Sequence, residues 1–198
     1  GSNVSGFKVG DLVAVSPSRP CQRCEFCLSG LAMQCLDMKF YGSAMPFPHI
    51  QGAFREVLVA RSSQCVVANG LSASQAAMVE PLAVVLHALK QAGSVYGKNV
   101  LVTGAGPIGL LTILAVKSAG ASNIVVTDLS DKALEVARDL GASETINVSK
   151  DELVLRKFES GKGLFEFMFE CSGSEEPLLG AIGAIKPRGT VVQLGMSG

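Results

Sequence analysis

A glycine-rich turn between an apolar run and a helical pattern constrains this sequence more than any other feature. The apolar run 99–103 ends at Gly104-Ala105-Gly106-Pro107-Ile108-Gly109, and a helical pattern follows. In a Gly-x-Gly-x-x-Gly loop so placed, the first glycine allows a tight turn, Gly106 lets the backbone approach a pyrophosphate, and Gly109 allows close helix–strand packing. Free amides at the helix start favour negative charge. The loop, with Pro107 and Ile108, is predicted to bind a dinucleotide, and an ordinary glycine-rich turn is the alternative.

Alternation of strand and helix patterns continues from this loop to the end of the chain. We predict four further strands, at 123–127, 144–147, 165–169 and 190–195. The predicted helices are 80–92, 131–140, 150–158 and 175–185. Because each crossover must return over the sheet before the next parallel strand, this order predicts an α/β fold, a doubly wound parallel sheet covered on both faces.

An acidic residue closes the second of these strands. Asp128 follows the glycine loop by about 20 residues, where a carboxylate can accept hydrogen bonds from the adenosine ribose and repel a 2′-phosphate. We therefore predict NAD as the cofactor, with NADP possible. Lys132 could lie near the ribose or on a solvated helix face, and the second interpretation is at least as well supported.

The first part of the chain has a different pattern, with short β-like runs at 11–15, 54–60 and 65–67. Four cysteines lie within it at the spacing Cys21-x2-Cys24-x2-Cys27-x7-Cys35. Four thiolates suit tetrahedral zinc, and closed coordination leaves no position for substrate, so we predict a structural zinc. An iron–sulfur cluster and unligated reduced thiols are the alternatives.

Composition excludes several classes of protein. The 198 residues carry 17 Lys plus Arg and 17 Asp plus Glu, so no charge excess favours a nucleic acid partner. The longest apolar stretch is far below the roughly 20 residues of a transmembrane helix. Clustered cysteines do not resemble a disulfide framework, which predicts a reducing, cytoplasmic setting.

The cysteine pattern and the glycine loop together resemble the medium-chain zinc-dependent alcohol and polyol dehydrogenases over essentially the whole chain. Val79-Glu80-Pro81-Leu82-Ala83 is similar to the signature of the sorbitol and threonine dehydrogenase branch. The segments 35–38, 40–45, 47–49 and 63–65 resemble the L-idonate 5-dehydrogenase group. The resemblance implies oxidation of a secondary alcohol of a polyol or sugar acid, with hydride transfer to NAD(P).

The resemblance also implies a domain division and further site residues. It implies part of an all-β GroES-like catalytic domain at 1–83, with a zinc lobe at about 17–40, and a Rossmann domain at 84–198 without its last strand. Glu80 is expected at a catalytic zinc, as a ligand or through the metal-bound water, although an acid at a helix start is the alternative. Two strand ends are expected beside the dinucleotide: Cys171, Ser172 and Gly173, and Leu194, Gly195 and Met196.

Part of the family's catalytic motif is missing from this sequence. The family's motifs for the other catalytic zinc ligands, a cysteine and a Gly-His-Glu segment, do not occur, so we expect an internal fragment without activity of its own.

The sequence contains two histidines. His49 could contact substrate or be an exposed loop residue, and His87 is expected to be a core histidine. The full enzyme is expected to be a dimer or tetramer. A zinc-stabilised dinucleotide-binding module without catalysis is the competing hypothesis.

Overall fold

The computed structural model describes residues 4–150 and 154–196. Two compact units divide the chain, Gly1–Glu80 and Pro81–Gly198. The domain boundary predicted between residues 83 and 84 stays a prediction. Over the described residues, no helix combines the length and apolar character needed to cross a bilayer.

Short antiparallel pairs of strands organise the first unit. Its strands are β1 Val13–Val15, β2 Ser18–Arg19, β3 Lys39–Phe40 and β4 Cys65–Val67. Strand β1 pairs with β4, and β2 pairs with β3. Its helices are α1 Glu25–Leu28 and α2 Ala73–Ala77, with 3₁₀ turns at Ala32–Gln34 and Ser62–Gln64. The β2–β3 pair closes the base of the loop that carries the four cysteines.

The β-like run at 54–60 does not form a strand, so that prediction is wrong. Its apolar side chains are exposed: Phe54 by 111%, Val57 by 76% and Val59 by 86%. An apolar run forms a strand only where a ladder partner and a covering layer exist, and no described strand pairs with this segment. The predicted run at 11–15 begins later, at Val13, because the Asp11 carboxylate accepts a hydrogen bond from the Lys8 amide in a turn.

Parallel strands and helices alternate in the second unit. The helices are α3 Val79–Ala92, α4 Pro107–Ser118, α5 Asp131–Leu140 and α6 Glu175–Ala181. The strands are β5 Asn99–Thr103, β6 Asn123–Asp128, β7 Glu144–Asn147, β8 Phe165–Glu170 and β9 Ile185–Gln193. Their order is β7-β6-β5-β8-β9 and every pair is parallel. This order is that of a Rossmann sheet, so the predicted fold class is confirmed.

The core lies on both faces of this sheet. Val100 and Val102 pack into one apolar cluster with Ile113 of α4, whereas Leu101 packs into a second cluster with Met168. Because successive strand residues point to opposite faces, this division shows that both faces are covered. Continuous apolar runs in β5 and β6 are the sequence signature of that double burial.

Three element boundaries differ from the predictions. Residues 151–153 of the predicted helix 150–158 lie outside the described residues, and Val154–Phe158 is a 3₁₀ helix. Helix α6 ends at Ala181, and a 3₁₀ turn, Ile182–Ala184, leads directly into β9. The last strand is therefore Ile185–Gln193, so residues 194–196 lie just beyond its carboxyl end.

Candidate cofactor site and metal cluster

The glycine-rich loop joins β5 to α4, as its sequence predicts. Gly106 is the N-cap of α4, Pro107 stands in the first turn, and no side chain caps the helix start. Pro107 has no amide hydrogen to leave unpaired, and its fixed φ suits a helix start. The amides of Ile108 and Gly109 in the first turn lack a side-chain cap, which is the arrangement that favours an anion.

The three glycines of the motif have different surroundings. A Cβ on Gly104, whose φ is +89°, would lie 2.8 Å from the Ser172 backbone nitrogen, and a Cβ on Gly109 would overlap the carbonyl oxygen of Gly104. A Cβ on Gly106 would meet nothing within 4 Å. Gly104 and Gly109 are therefore required by packing inside the protein, whereas the open space at Gly106 fits the predicted approach of a pyrophosphate.

The Asp128 carboxylate stands at the carboxyl end of β6, directly beside this loop. Its Oδ2 accepts a hydrogen bond from the Ala105 amide at 2.6 Å, and its Oδ1 accepts one from the Ser130 amide at 2.8 Å. Two backbone donors fix the carboxylate, which retains lone pairs for ribose hydroxyl groups. Lys132 is exposed in the first turn of α5.

The two other predicted cofactor segments meet at the carboxyl ends of β8 and β9. Gly173 has a φ of +75°, and a Cβ there would lie 2.8 Å from the Met196 carbonyl oxygen. A Cβ on Gly195 would overlap the Gly173 backbone. Leu194 is partly buried against the core between α3 and α4. These backbones are in close contact at the strand ends where Rossmann proteins bind ligands.

Cys171 begins the first of these segments and is partly buried. Burial raises the pKa of its thiol to about 12, although a hydrogen bond with Thr112 opposes that change. A thiol with so high a pKa is a poor nucleophile at neutral pH, and the Cys171 side chain packs against the apolar core.

Glu170, the last residue of β8, is a buried acid that the sequence reasoning missed. Its side chain is 0% exposed. Its Oε1 accepts from the Ser172 amide at 2.7 Å, and its Oε2 accepts from Gln193 Nε2 at 2.8 Å. An acidic residue at the end of a strand rich in phenylalanine was the available signal, because a buried carboxylate requires donors.

The four cysteines of the first unit converge on one point. Their sulfur atoms all lie within 4.8 Å of one another, and the Sγ atoms of Cys21 and Cys27 are 4.0 Å apart. Four sulfurs about 2.3 Å from a zinc ion would be separated by about 3.8 Å, so a small contraction suffices. Backbone amides already point at sulfur, from Cys21 to Cys35 Sγ at 3.1 Å and from Cys24 to Cys21 Sγ at 3.4 Å. The cluster therefore fits tetrahedral zinc.

The thiols of the cluster differ in acidity. Backbone hydrogen bonds from Cys27 and then Leu36 lower the pKa of Cys24 to about 6, whereas burial raises the pKa of Cys27 to about 12. Backbone hydrogen bonds, first from Arg23, also lower the pKa of Cys21. A divalent cation at the centre would favour the thiolate form of all four.

Glu80 and the two histidines do not form a second metal site. Over the described residues, groups of three or more possible metal ligands occur only at the four cysteines. Glu80 is exposed in the first turn of α3. His87 is exposed, so its expected place in the core is wrong. His49 is an exposed loop residue whose Nδ1 lies 3.2 Å from the Pro46 carbonyl oxygen.

Comparison with known families covers both units. The family "Zinc-binding dehydrogenase" matches residues 107–198, and the family "Alcohol dehydrogenase GroES-like domain" matches residues 1–70. L-idonate 5-dehydrogenase (NAD(P)(+)) of Escherichia coli is 40% identical over the whole chain, which covers 57% of that protein. Sorbitol dehydrogenase of Bacillus subtilis is 32% identical over 99% of the chain and is covered to 55%.

Solved structures show the same similarity. The crystal structure of L-idonate 5-dehydrogenase from Escherichia coli superposes with a TM-score of 0.88 at 39% identity, over 96% of this chain and 54% of that chain. The present chain thus spans slightly more than half the length of these relatives.

Proposed function

The chain belongs to the medium-chain zinc-dependent alcohol and polyol dehydrogenases, and from this premise we propose that its protein oxidises a secondary alcohol of a polyol or sugar acid. In this reaction the alcohol carbon transfers a hydride to a nicotinamide dinucleotide and the hydroxyl group loses a proton, which leaves a ketone. The observation that carries the proposal is the glycine loop, whose packed Gly104 and Gly109 flank an open Gly106 at an uncapped helix start.

The dinucleotide would bind along the carboxyl ends of the strands. The first-turn amides of α4 would hold the pyrophosphate, and Asp128 would accept hydrogen bonds from the adenosine ribose. The strand ends at Gly173 and Gly195 would present backbone groups to the other half of the dinucleotide. A carboxylate at the ribose repels a 2′-phosphate, so we propose a preference for NAD over NADP. Lys132, if it lies near the ribose, would weaken that preference.

The proposal includes two zinc ions, a structural one with all its ligands in this chain and a catalytic one with a single ligand in it. A structural zinc would be held by Cys21, Cys24, Cys27 and Cys35, and it would fix the loop between β2 and β3. A catalytic zinc, when bound, polarises the alcohol oxygen as a Lewis acid. Glu80 alone among the described residues is proposed for that ion, and one carboxylate does not complete zinc coordination, so the remaining ligands must come from elsewhere in the protein.

L-idonate is the substrate that we propose, with 5-ketogluconate as product. Support comes from the 40% identity with the Escherichia coli L-idonate 5-dehydrogenase, compared with 32% for the sorbitol dehydrogenase of Bacillus subtilis. Sorbitol, xylitol and L-threonine are the competing substrates. All four offer a secondary alcohol, so the chemistry at the reacting carbon is common to them.

A substrate panel on the full-length protein tests the proposal. We expect NADH formation at 340 nm with L-idonate, at a kcat/KM at least about tenfold above that for sorbitol, xylitol or L-threonine, a difference of about 1.4 kcal/mol in transition-state binding. A higher kcat/KM for another member of the panel would reassign the substrate. Tight NADH binding with no turnover of any alcohol would favour the non-catalytic module.

A glycine variant separates cofactor binding from folding. Gly106→Ala adds a Cβ into open space, so we expect an unchanged midpoint of urea unfolding but at least about tenfold weaker NADH binding, because the methyl group occupies the pyrophosphate approach. Gly109→Ala is the matched control, since its Cβ overlaps the Gly104 carbonyl and should destabilise the fold itself. Unchanged NADH affinity in Gly106→Ala would contradict the assignment of the loop.

A further inference from the structure

The buried carboxylate of Glu170 occupies a central position that the proposed function does not use. Glu170 ends β8, which pairs with β5 at the point where the strand order reverses direction. Its side chain is completely enclosed, and Thr103 at the end of β5 donates to its Oε1 at 3.4 Å. The ion pairs found among the described residues do not include it, so its hydrogen-bond partners are neutral.

The carboxylate of Glu170 organises the segment that follows β8. Oε1 accepts hydrogen bonds from both the backbone amide and the hydroxyl group of Ser172, the amide at 2.7 Å. Oε2 accepts a further bond from the Gly173 amide at 3.2 Å. Consecutive amides directed at one carboxylate fix the turn in which Gly173 has a φ of +75°. The carboxylate thereby determines which backbone groups of this segment face outward.

The same carboxylate also reaches the segment that follows β9, through Oε2. Gln193 Nε2 donates to Oε2 at 2.8 Å and also to the Gly195 carbonyl oxygen at 2.8 Å. A Cβ on Gly195 would lie 2.6 Å from Oε2, so the carboxylate occupies the space that a side chain there would need. The backbone carbonyl of Glu170 accepts from the amides of Leu194 and Gly195. One residue therefore joins both strand ends.

We propose that Glu170 is a positioning residue for the nicotinamide half of the dinucleotide, and this inference rests on the proposed function. In a doubly wound sheet the first half, here β5, β6 and β7, holds the adenosine part, and the strands across the reversal hold the other part. Glu170 fixes the two strand ends of that second half before the cofactor arrives, so binding does not have to order them. It does not contact the reacting atoms itself.

The test compares two ligands that report on the two halves. NADH spans both halves, whereas 5′-AMP occupies only the adenosine half. In the full-length protein, Glu170→Gln keeps the shape of the side chain but replaces one acceptor oxygen by an NH2 group. This group cannot accept hydrogen bonds from the surrounding donors. We expect NADH affinity to fall by about tenfold, while 5′-AMP affinity stays within about twofold. Calorimetry or NADH fluorescence measures both, with AMP as a competitor.

Glu166→Gln is the matched control, because Glu166 is another hydrogen-bonded carboxylate of the same strand. It lies near the start of β8 and accepts bonds from the Asn99 amide and Lys186. This variant should lower stability without changing the ratio of NADH to AMP affinity. If Glu170→Gln behaves in the same way, Glu170 is only structural and the proposal is overturned.

A second variant covers the case in which Glu170→Gln does not fold. Gln193→Met removes the link between the carboxylate and Gly195 but leaves Glu170 in place, and it should weaken NADH binding severalfold with AMP binding unchanged. Equal losses for NADH and AMP, or no loss, would overturn the proposal. Failure of the unaltered protein to bind NADH would instead refute the proposed function.

Discussion

The two units of this chain differ in how many large side chains they bury. In the part of the first unit that the structure describes, residues 4–80, the buried side chains are Gln64, Ala68 and Ala76. In the second unit, large residues such as Phe165, Phe169 and Leu101 are fully enclosed on two faces of one sheet. Apolar burial of about 25 cal/mol per Å² stabilises the sheet, whereas the cysteine loop has no comparable core. We therefore propose that a metal bound at the four cysteines stabilises the first unit, as metals do in small metal-dependent domains.

The largest expected effect that separates the two units is the loss of the metal. Cys24→Ser removes one thiolate from the cluster, so the isolated chain should fall from about one zinc per molecule to substoichiometric zinc, since structural sites contribute on the order of 10 kcal/mol. Metal analysis by mass spectrometry after gel filtration measures the ratio. Cys65→Ser, outside the cluster, is the control and should retain the metal. An unaltered chain without zinc would contradict the assignment.

Truncation of an aromatic residue should have a smaller effect that also distinguishes the units. Phe169→Ala opens a cavity in the sheet core and should reduce the free energy of unfolding by about 3–5 kcal/mol. Phe54→Ala, in the exposed segment of the first unit, should change it by less than about 0.5 kcal/mol. Urea titration monitored by circular dichroism provides both values. Similar losses in the two variants would remove the contrast between a packed and an open unit.

The smallest predicted effect is a pH dependence that originates at Glu166 in the second unit. Partial burial opposes ionisation of Glu166, but hydrogen bonds from Lys186 and Asn99 outweigh it and lower its pKa to about 2, from 4.5. A depressed folded-state pKa stabilises the protein above the unfolded value, and that contribution is lost as the pH falls from about 4.5 towards 2. The unfolding midpoints of Glu166→Gln and the unaltered chain should therefore converge on acidification. A constant difference from pH 6 to pH 3 would refute this origin.

The sequence predicted the sheet better than it predicted the first unit. Apolar runs with helical patterns between them located β5 to β8 within a residue, because burial on both faces leaves a continuous signal. The run at 54–60 is also rich in apolar residues but does not form a strand, since a strand depends on partners distant in sequence. Element ends near Ala181 and Gln193 were missed because 3₁₀ turns and strand ends have weak local signals.

The candidate site shows the same division between local and non-local information. The glycine loop, Asp128 and the cysteine spacing are local motifs and could be found by inspection. The role of Glu170 depends on bonds to Gln193 and Thr103, which come together only when β5, β8 and β9 are adjacent. Its sequence signal, an acid at the end of a phenylalanine-rich strand, does not identify its partners.

Hydrogen–deuterium exchange before and after zinc chelation tests most directly whether the two units are held by different means. The peptides to compare are the cysteine loop at residues 20–38 and strand β5 at 99–103. We predict that a chelator abolishes protection in the loop and leaves β5 protected. Equal loss of protection in both peptides, or no loss in the loop although zinc is removed, would contradict the account.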